Sequence, residues 1–254
     1  MSKRDDVKVL YSKSTILNEC CQILFWTNCI FSILSLWCDG ILNSVSVLVQ
    51  ILTSILYVIL MSIDDGHYWY MAESARRKDN LQVGLGINLS DLETDGYYNN
   101  QLEPSIIKYA MNTFESNFFS KEIAAKMLVK SLTKAIVAVF LLISIDWFNT
   151  NQEIILVITQ SVLSTYIVEE TIMLAFYKSK LEKLYDLIYA EFITIGITKK
   201  SQQNLLLYYV VEYESIKSYY KVRISYYIFN KYNGQLSQKW DDIKTKCKIK
   251  KRLS

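Results

Sequence analysis

Breaks are scarce in this chain. It holds one proline and seven glycines in 254 residues. Proline fixes φ and removes a backbone donor, and glycine reaches conformations other residues avoid, so a chain poor in both has few places to turn. The shortage predicts a mostly helical protein. Histidine is scarcer still, with His67 the single one, and neither H-E-x-x-H nor G-x-S-x-G occurs. The common zinc-protease and serine-hydrolase motifs are therefore excluded. The five cysteines are an odd number; Cys20, Cys21, Cys29 and Cys38 share one apolar stretch, and Cys247 lies in a basic tail. That is no secreted disulfide framework, and the expectation is buried, inert thiols. A net charge of +3 does not suggest a nucleic-acid binder.

Charge is missing locally as well. No charged residue lies between Glu19 and Asp39, or between Asp39 and Asp64. The first run, "CCQILFWTNCIFSILSLWC", has nineteen residues, and the second, "GILNSVSVLVQILTSILYVILMSI", has twenty-four. Each is long enough to cross a hydrocarbon core of about 30 Å. A second pair follows in "KAIVAVFLLISID" and "IILVITQSVLSTYIV", the latter only fifteen residues over 154–168. At 1.5 Å per residue those fifteen span about 22 Å, so this helix is expected to run on through Glu169 and Glu170 toward Tyr177. The expected fold is an all-α membrane protein with four transmembrane helices in two hairpins.

Lysine and arginine are absent from Ser14 to Ala75 and from Ala135 to Tyr177. The short connectors hold only acids: Asp39 in one, Asp146 and Glu153 in the other. By the positive-inside rule, both termini and the middle of the chain are cytoplasmic. The chain divides into a cytoplasmic N-terminal segment (1–19), a transmembrane hairpin (20–64), a cytoplasmic helical segment (65–130), a second transmembrane hairpin (131–177) and a cytoplasmic helical C-terminal region (178–254). Trp37 and Trp147 then fall at the outer interface, and Tyr68, Trp69 and Tyr70 at the inner one.

In the cytoplasmic parts, residues 72–79 continue the second membrane helix. Pro104 suits the first turn of a helix. Ser120 suits the N-cap of a helix running into the third span. Leu181, Leu184, Leu187 and Ile188 form one apolar stripe. "NLLLYYVVEYESIKSYYKVRISYYIF" reads as one tyrosine-rich helix, either packing on its neighbours or stacking a nucleotide beside Lys217, Lys221 and Arg223. The isolated "GLG" at 84–86 is neither a dinucleotide loop nor a P-loop. The tail "KTKCKIKKRLS" suits anionic lipid or solvent.

Projected at 100° per residue, the second span carries a polar stripe of Asn43, Ser46, Gln50, Thr53, Ser54 and Tyr57, which Asp64 extends. Asn28, Ser32, Ser35 and Asp39 align on the first span, and Gln160, Ser161, Ser164, Thr165, Glu169 and Thr171 on the fourth. Glu170 points away and is expected to reach the interface or to pair with Lys178 or Lys180. Such stripes either line water or bond helices together. The candidate pore-lining residues are Asn43, Ser46, Gln50, Ser54, Asp64, Gln160, Ser164, Thr165 and Glu169.

The paired hairpins, the cytoplasmic helices, and "ARRKDNLQVGLGINLSDLETDGYYNN" followed by "FESNFFS" carry a family likeness. The chain resembles the pore-forming effectors with two or four transmembrane helices, SLATT-like, of bacterial nucleotide-signalled antiphage systems. That resemblance implies membrane disruption triggered by a second messenger, and it transfers no individual functional residue. The expectation is an oligomeric pore-forming effector of the inner membrane, without cofactor. Its partners are the lipid bilayer, further copies of itself, and a cyclic nucleotide or protein trigger on the cytoplasmic side; nucleic acid is not among them. The alternatives are a non-conducting membrane scaffold or regulatory subunit, and a membrane-embedded metal-dependent enzyme at Asp64, Asp65 and His67.

Overall fold

A computed structural model describes residues 4–148, 153–194 and 200–247. The shortage of breakers shows in the element lengths. Helix α1 spans Val7–Trp37, and after a three-residue connection α2 spans Ile41–Ile63. A π-helical turn, Asp64–Tyr68, joins α2 to α3, Trp69–Leu85, so that Ile41–Leu85 is one rod of 45 residues. Helix α4, Ile106–Phe148, and helix α5, Glu153–Thr194, are nearly as long, at 43 and 42 residues. Helices α6, Lys200–Tyr220, and α7, Tyr226–Lys246, close the chain. Extended chain among the described residues is limited to β1, Arg4–Asp5, and β2, Thr94–Asp95. The rod Ile41–Leu85 is long and apolar enough to cross a membrane.

The chain forms two compact units. One comprises Asp5–Arg76 and Lys134–Val168; the other comprises Met1–Arg4, Arg77–Thr133 and Glu169–Ser254. In the first, α1 and α2 make an antiparallel hairpin. Gly40 turns it with φ +64°, a left-handed value that favours glycine. At the open end the Arg76 guanidinium donates to both Asp5 carboxylate oxygens at 2.9 and 3.0 Å. The Tyr11 hydroxyl donates to Glu73 at 2.8 Å, and the Tyr11 ring meets Trp69 edge-on.

The second unit is an aromatic-centred helical bundle. Phe114 stacks on Phe192 and meets Trp240 edge-on, while Phe118 stacks on Trp240. Leu181, Leu184 and Ile188 bury one stripe of α5 against this core. Two lysines of α4 lie over rings of neighbouring helices, Lys121 at 3.7 Å from the Tyr185 centroid and Lys126 at 3.8 Å from that of Tyr232. Such contacts add to the apolar burial that holds the bundle. Fully buried Tyr213 shares a hydrogen bond with Ser120, and burial pushes its hydroxyl above the usual range.

Several expectations need correction. Ser120 is not an N-cap. Helix α4 begins fourteen residues earlier, after Pro104, where the Ser105 hydroxyl accepts from Lys108 N at 3.2 Å. The tyrosine-rich segment is two helices rather than one. It breaks at Lys221, whose φ of +47° ends α6, and Ser225 caps α7 by accepting from Ile228 N. No proline or glycine marks that corner, so nothing in the local composition announces it. Leu187 is exposed rather than part of the buried stripe, because 100° per residue carries it past the edge of the core. Trp69 is buried under Tyr11, which removes it from any interfacial belt, whereas Tyr70 and Trp37 are exposed.

Helices α3 and α4 meet closely at Gly84, where a Cβ would stand 2.7 Å from the Tyr109 Cα. One methyl there forces backbone apart. We expect Gly84→Ala to destabilise the protein by about 1–3 kcal/mol. Gly234, inside α7, has nothing within 4 Å of its would-be Cβ. Gly234→Ala is expected to stabilise by up to about 1 kcal/mol. Thermal unfolding of the two variants in detergent should shift in opposite directions.

Candidate functional site

The polar stripes of α1 and α2 face each other. The Asn28 carboxamide is the centre of the seam. Its Nδ2 lies within donating distance of Gln50 O at 2.9 Å, Thr53 Oγ1 at 3.1 Å and Ser54 Oγ at 2.8 Å. Gln50 answers by donating Nε2 to Phe31 O at 3.1 Å. Thr53 donates to Val49 O at 2.8 Å, and Ser35 to Ser32 O at 2.8 Å. Ser32, Ser35, Ser46, Gln50 and Asp64 are all buried. These groups sit at helical spacing because Ser46, Gln50, Thr53 and Ser54 share the face of α2 that α1 covers.

The outer faces of the same helices are apolar. Ile23, Trp26, Ile30, Leu48, Ile55 and Val58 are among many exposed large side chains on α1 and α2. The hairpin is therefore inside-out relative to a water-soluble pair: polar within, apolar without.

Of the sequence-predicted site residues, Asn43, Ser46, Gln50, Ser54 and Asp64 all lie in the hairpin, with Ser46, Gln50 and Asp64 buried there. The side chains of Gln160, Ser161, Ser164 and Thr165 lie outside the described residues, as do that of Trp147 and the tail 248–254. Glu169 and Glu170 are both exposed, on a helix that runs unbroken through them. Neighbouring Thr171 is buried and shares a 2.7 Å hydrogen bond with Ser131. Lys178 pairs with Glu182 at 2.8 Å, one turn further along α5. Asp64 is buried and His67 exposed, and among the described residues no cluster of three His, Cys, Asp or Glu can hold a metal. All five cysteines are thiols; Cys21 and Cys247 are buried, and Cys20, Cys29 and Cys38 partly so.

The bundle holds a second polar assembly that composition did not reveal. Residues 86–105 have almost no regular structure, and side chains of the surrounding helices hold their backbone. Gln82 Oε1 accepts from Leu89 N and Ser90 N, both at 3.1 Å. The buried Glu115 carboxylate accepts from Asn99 N at 3.0 and 3.1 Å, and Lys244 Nζ donates to Asn99 O at 2.8 Å. Thr94 donates to buried Asp79, Asn80 to Thr113, and Asn100 to Asn112. The buried Asn117 carboxamide of α4 lies against Leu181 O and Tyr185 N of α5, and with its amide oxygen and nitrogen exchanged it donates to the first and accepts from the second. Asparagines at 112 and 117 in the apolar "AMNTFESNFF" were the only hint of this strap in the sequence.

No protein-family model, no curated protein and no solved structure matches the chain.

The seam at Asn28 ties α1 to α2 by side-chain hydrogen bonds between two helices whose outer faces are apolar. We expect Asn28→Ala and Ser54→Ala each to weaken the hairpin. A double-mutant cycle should give a coupling of about 0.6 kcal/mol, and no more than about 1.7. Unfolding in mild detergent measures it, and additive effects would show that the contact carries no energy.

Proposed function

We propose that this is a multi-pass protein of the inner membrane, with four transmembrane helices in two hairpins and with both termini and the bundle in the cytoplasm. The observation that supports it best is the inverted polarity of the α1–α2 hairpin. Leaving so many large apolar side chains in water is costly, at about 25 cal/mol for each Å² of apolar surface, and lipid removes that cost. The polar seam inside is then satisfied where no water can reach it.

On this reading the protein is an oligomeric pore-forming or membrane-disrupting effector of antiphage defence. It is gated from the bundle side by a nucleotide second messenger or a protein, in keeping with the family resemblance. Four spans enclose little space, so conduction needs several copies in symmetry. The α2 stripe is occupied by α1. A water path is therefore assembled from the α5 face that carries Gln160, Ser164, Thr165 and Glu169, with Glu169 at its inner mouth. The seam also favours a second reading, a non-conducting membrane scaffold, since a hairpin that satisfies its own polar groups offers little to passing ions.

Two measurements separate the possibilities. With the native cysteines replaced, a cysteine at position 90 should resist an impermeant reagent in intact cells, and one at position 39 should react. Labelling at 90 would reverse the topology. Leakage of ions or dye from liposomes holding the protein should fall several-fold in Glu169→Gln and less in Glu170→Gln, at equal protein in the membrane. Wild type that inserts and assembles but passes nothing, with its trigger present, would leave the scaffold reading.

A further inference from the structure

Between Glu214 and Asp241 the chain has no acidic residue. The 26 residues in that gap hold five cations (Lys217, Lys221, Arg223, Lys231 and Lys239) and five tyrosines. The centre of this stretch is the corner between α6 and α7. Val222 and Ile224 pack against the bundle core and fix the corner from beneath. Tyr219, Tyr226 and Tyr227 stand outward, with 71%, 55% and 71% of their surfaces exposed, and Lys221 is exposed between them. A bundle that only needed to turn there had no reason to expose three aromatic rings.

The location of the corner matters as much as its chemistry. Ser225 N donates to Met127 Sδ at 3.4 Å, and the Tyr220 ring packs beside that of Tyr177. Met127 is one turn of α4 before Ser131, whose hydroxyl meets Thr171 of α5. At 1.5 Å per residue the corner is about 6 Å along α4 from that pair. Beyond the pair both helices continue into the apolar runs 135–145 and 154–168. From the corner, α7 runs back along α4, with Phe229 beside Phe119 and Trp240 on Phe114 and Phe118. The corner is thus the part of α7 that lies where α4 and α5 leave the bundle.

We propose that the α6–α7 corner is an interfacial seat on anionic lipid headgroups. Tyrosine suits that layer because its ring is apolar and its hydroxyl wet, and lysine and arginine add attraction to anionic lipid. The stretch itself carries no acid that would repel such headgroups. Exposed rings with wet hydroxyls beside cations match a layer that offers both apolar depth and negative headgroups, which a purely acidic protein face does not. The proposal rests on the membrane reading above, and its test is chosen to fail separately.

The full chain, with native cysteines replaced, carries an environment-sensitive fluorophore at Tyr227→Cys or, as a control, at Gln238→Cys. Gln238 is exposed on the same helix, about 16 Å further along. The protein is reconstituted in phosphatidylcholine vesicles, with or without phosphatidylglycerol, containing headgroup-nitroxide lipid as quencher. Quenching at 227 should be at least twofold stronger than at 238 in anionic vesicles, weaken with added salt, and drop in a Lys221→Glu, Arg223→Glu variant of unchanged helicity. A chain that floats with the vesicles but shows no quenching at 227, or quenching that is equal in neutral and anionic vesicles and unmoved by salt, overturns the seat and leaves the membrane reading intact. A chain that does not float overturns both. A fluorescence response at 227 to single-stranded RNA and not to anionic lipid assigns the corner to nucleic acid and overturns the proposal.

Discussion

A single carboxamide sets the terms for the first unit. Asn28 sits in a helix whose outer faces are isoleucine, leucine and tryptophan, and it reaches the backbone of Gln50 and the hydroxyls of Thr53 and Ser54. A buried amide without partners costs several kcal/mol in an apolar medium. That penalty fixes which residues of α1 lie opposite which residues of α2, since a slip of one turn would strand the carboxamide and Gln50 together. Apolar packing alone tolerates such slips. The register at the open end, where Asp5 meets Arg76 and Tyr11 meets Glu73, follows from the same alignment.

The bundle is organised by opposite means. Its core is aromatic, centred on Phe114, Phe118, Phe192 and Trp240, and its polar groups hold an irregular strap as well as joining helices at Ser120–Tyr213 and Ser131–Thr171. Glu115 and Lys244 grip the two sides of Asn99, one taking its N–H and the other donating to its carbonyl. Buried charges are tolerated where hydrogen bonds meet them, and here the backbone of 86–105 supplies those bonds. Two kinds of order thus occur in one chain: polar seams inside an apolar sheath, and an aromatic core bound by polar straps.

Much of this was legible. Scarce proline and glycine gave helices, and the uncharged runs gave α2 and the latter part of α1 with the break between them at Asp39, though α1 begins earlier, at Val7. The need to lengthen the fourth apolar run gave an unbroken α5 through Glu169 and Glu170. Periodicity found the stripe on α2 but not what it faces, because a helical wheel records direction and not neighbours. Whether Gln50, Thr53 and Ser54 meet water or Asn28 is decided by a residue more than twenty positions away. Local composition misplaced the start of α4, since Ser120 and Ser105 are equally good caps in isolation. The corner at Lys221 was invisible because a lysine carries no signal for a left-handed backbone; core burial of Val222 and Ile224 imposes it. The strap depends on pairs such as Asn99 with Lys244, far apart in sequence.

The π-helical turn Asp64–Tyr68 has a consequence for how the rod Ile41–Leu85 is phased. Buried positions on α2 include Ser46 and Gln50, and burial resumes at Asp64, Trp69 and Ala72. Trp69 is five positions beyond Asp64. In an ordinary helix that step would swing a side chain by about 140° and aim Trp69 away from Asp64. A turn closed by i→i+5 bonds takes in the extra residue, so both point the same way. The turn works as a phase shifter between two periodic texts, one for the polar seam with α1 and one for the latch that Arg76 and Glu73 make with Asp5 and Tyr11. A chain of this design with one residue deleted from "DDGHY" would keep its composition and its hydropathy profile, yet its latch residues would be turned round the rod to a face with no partner.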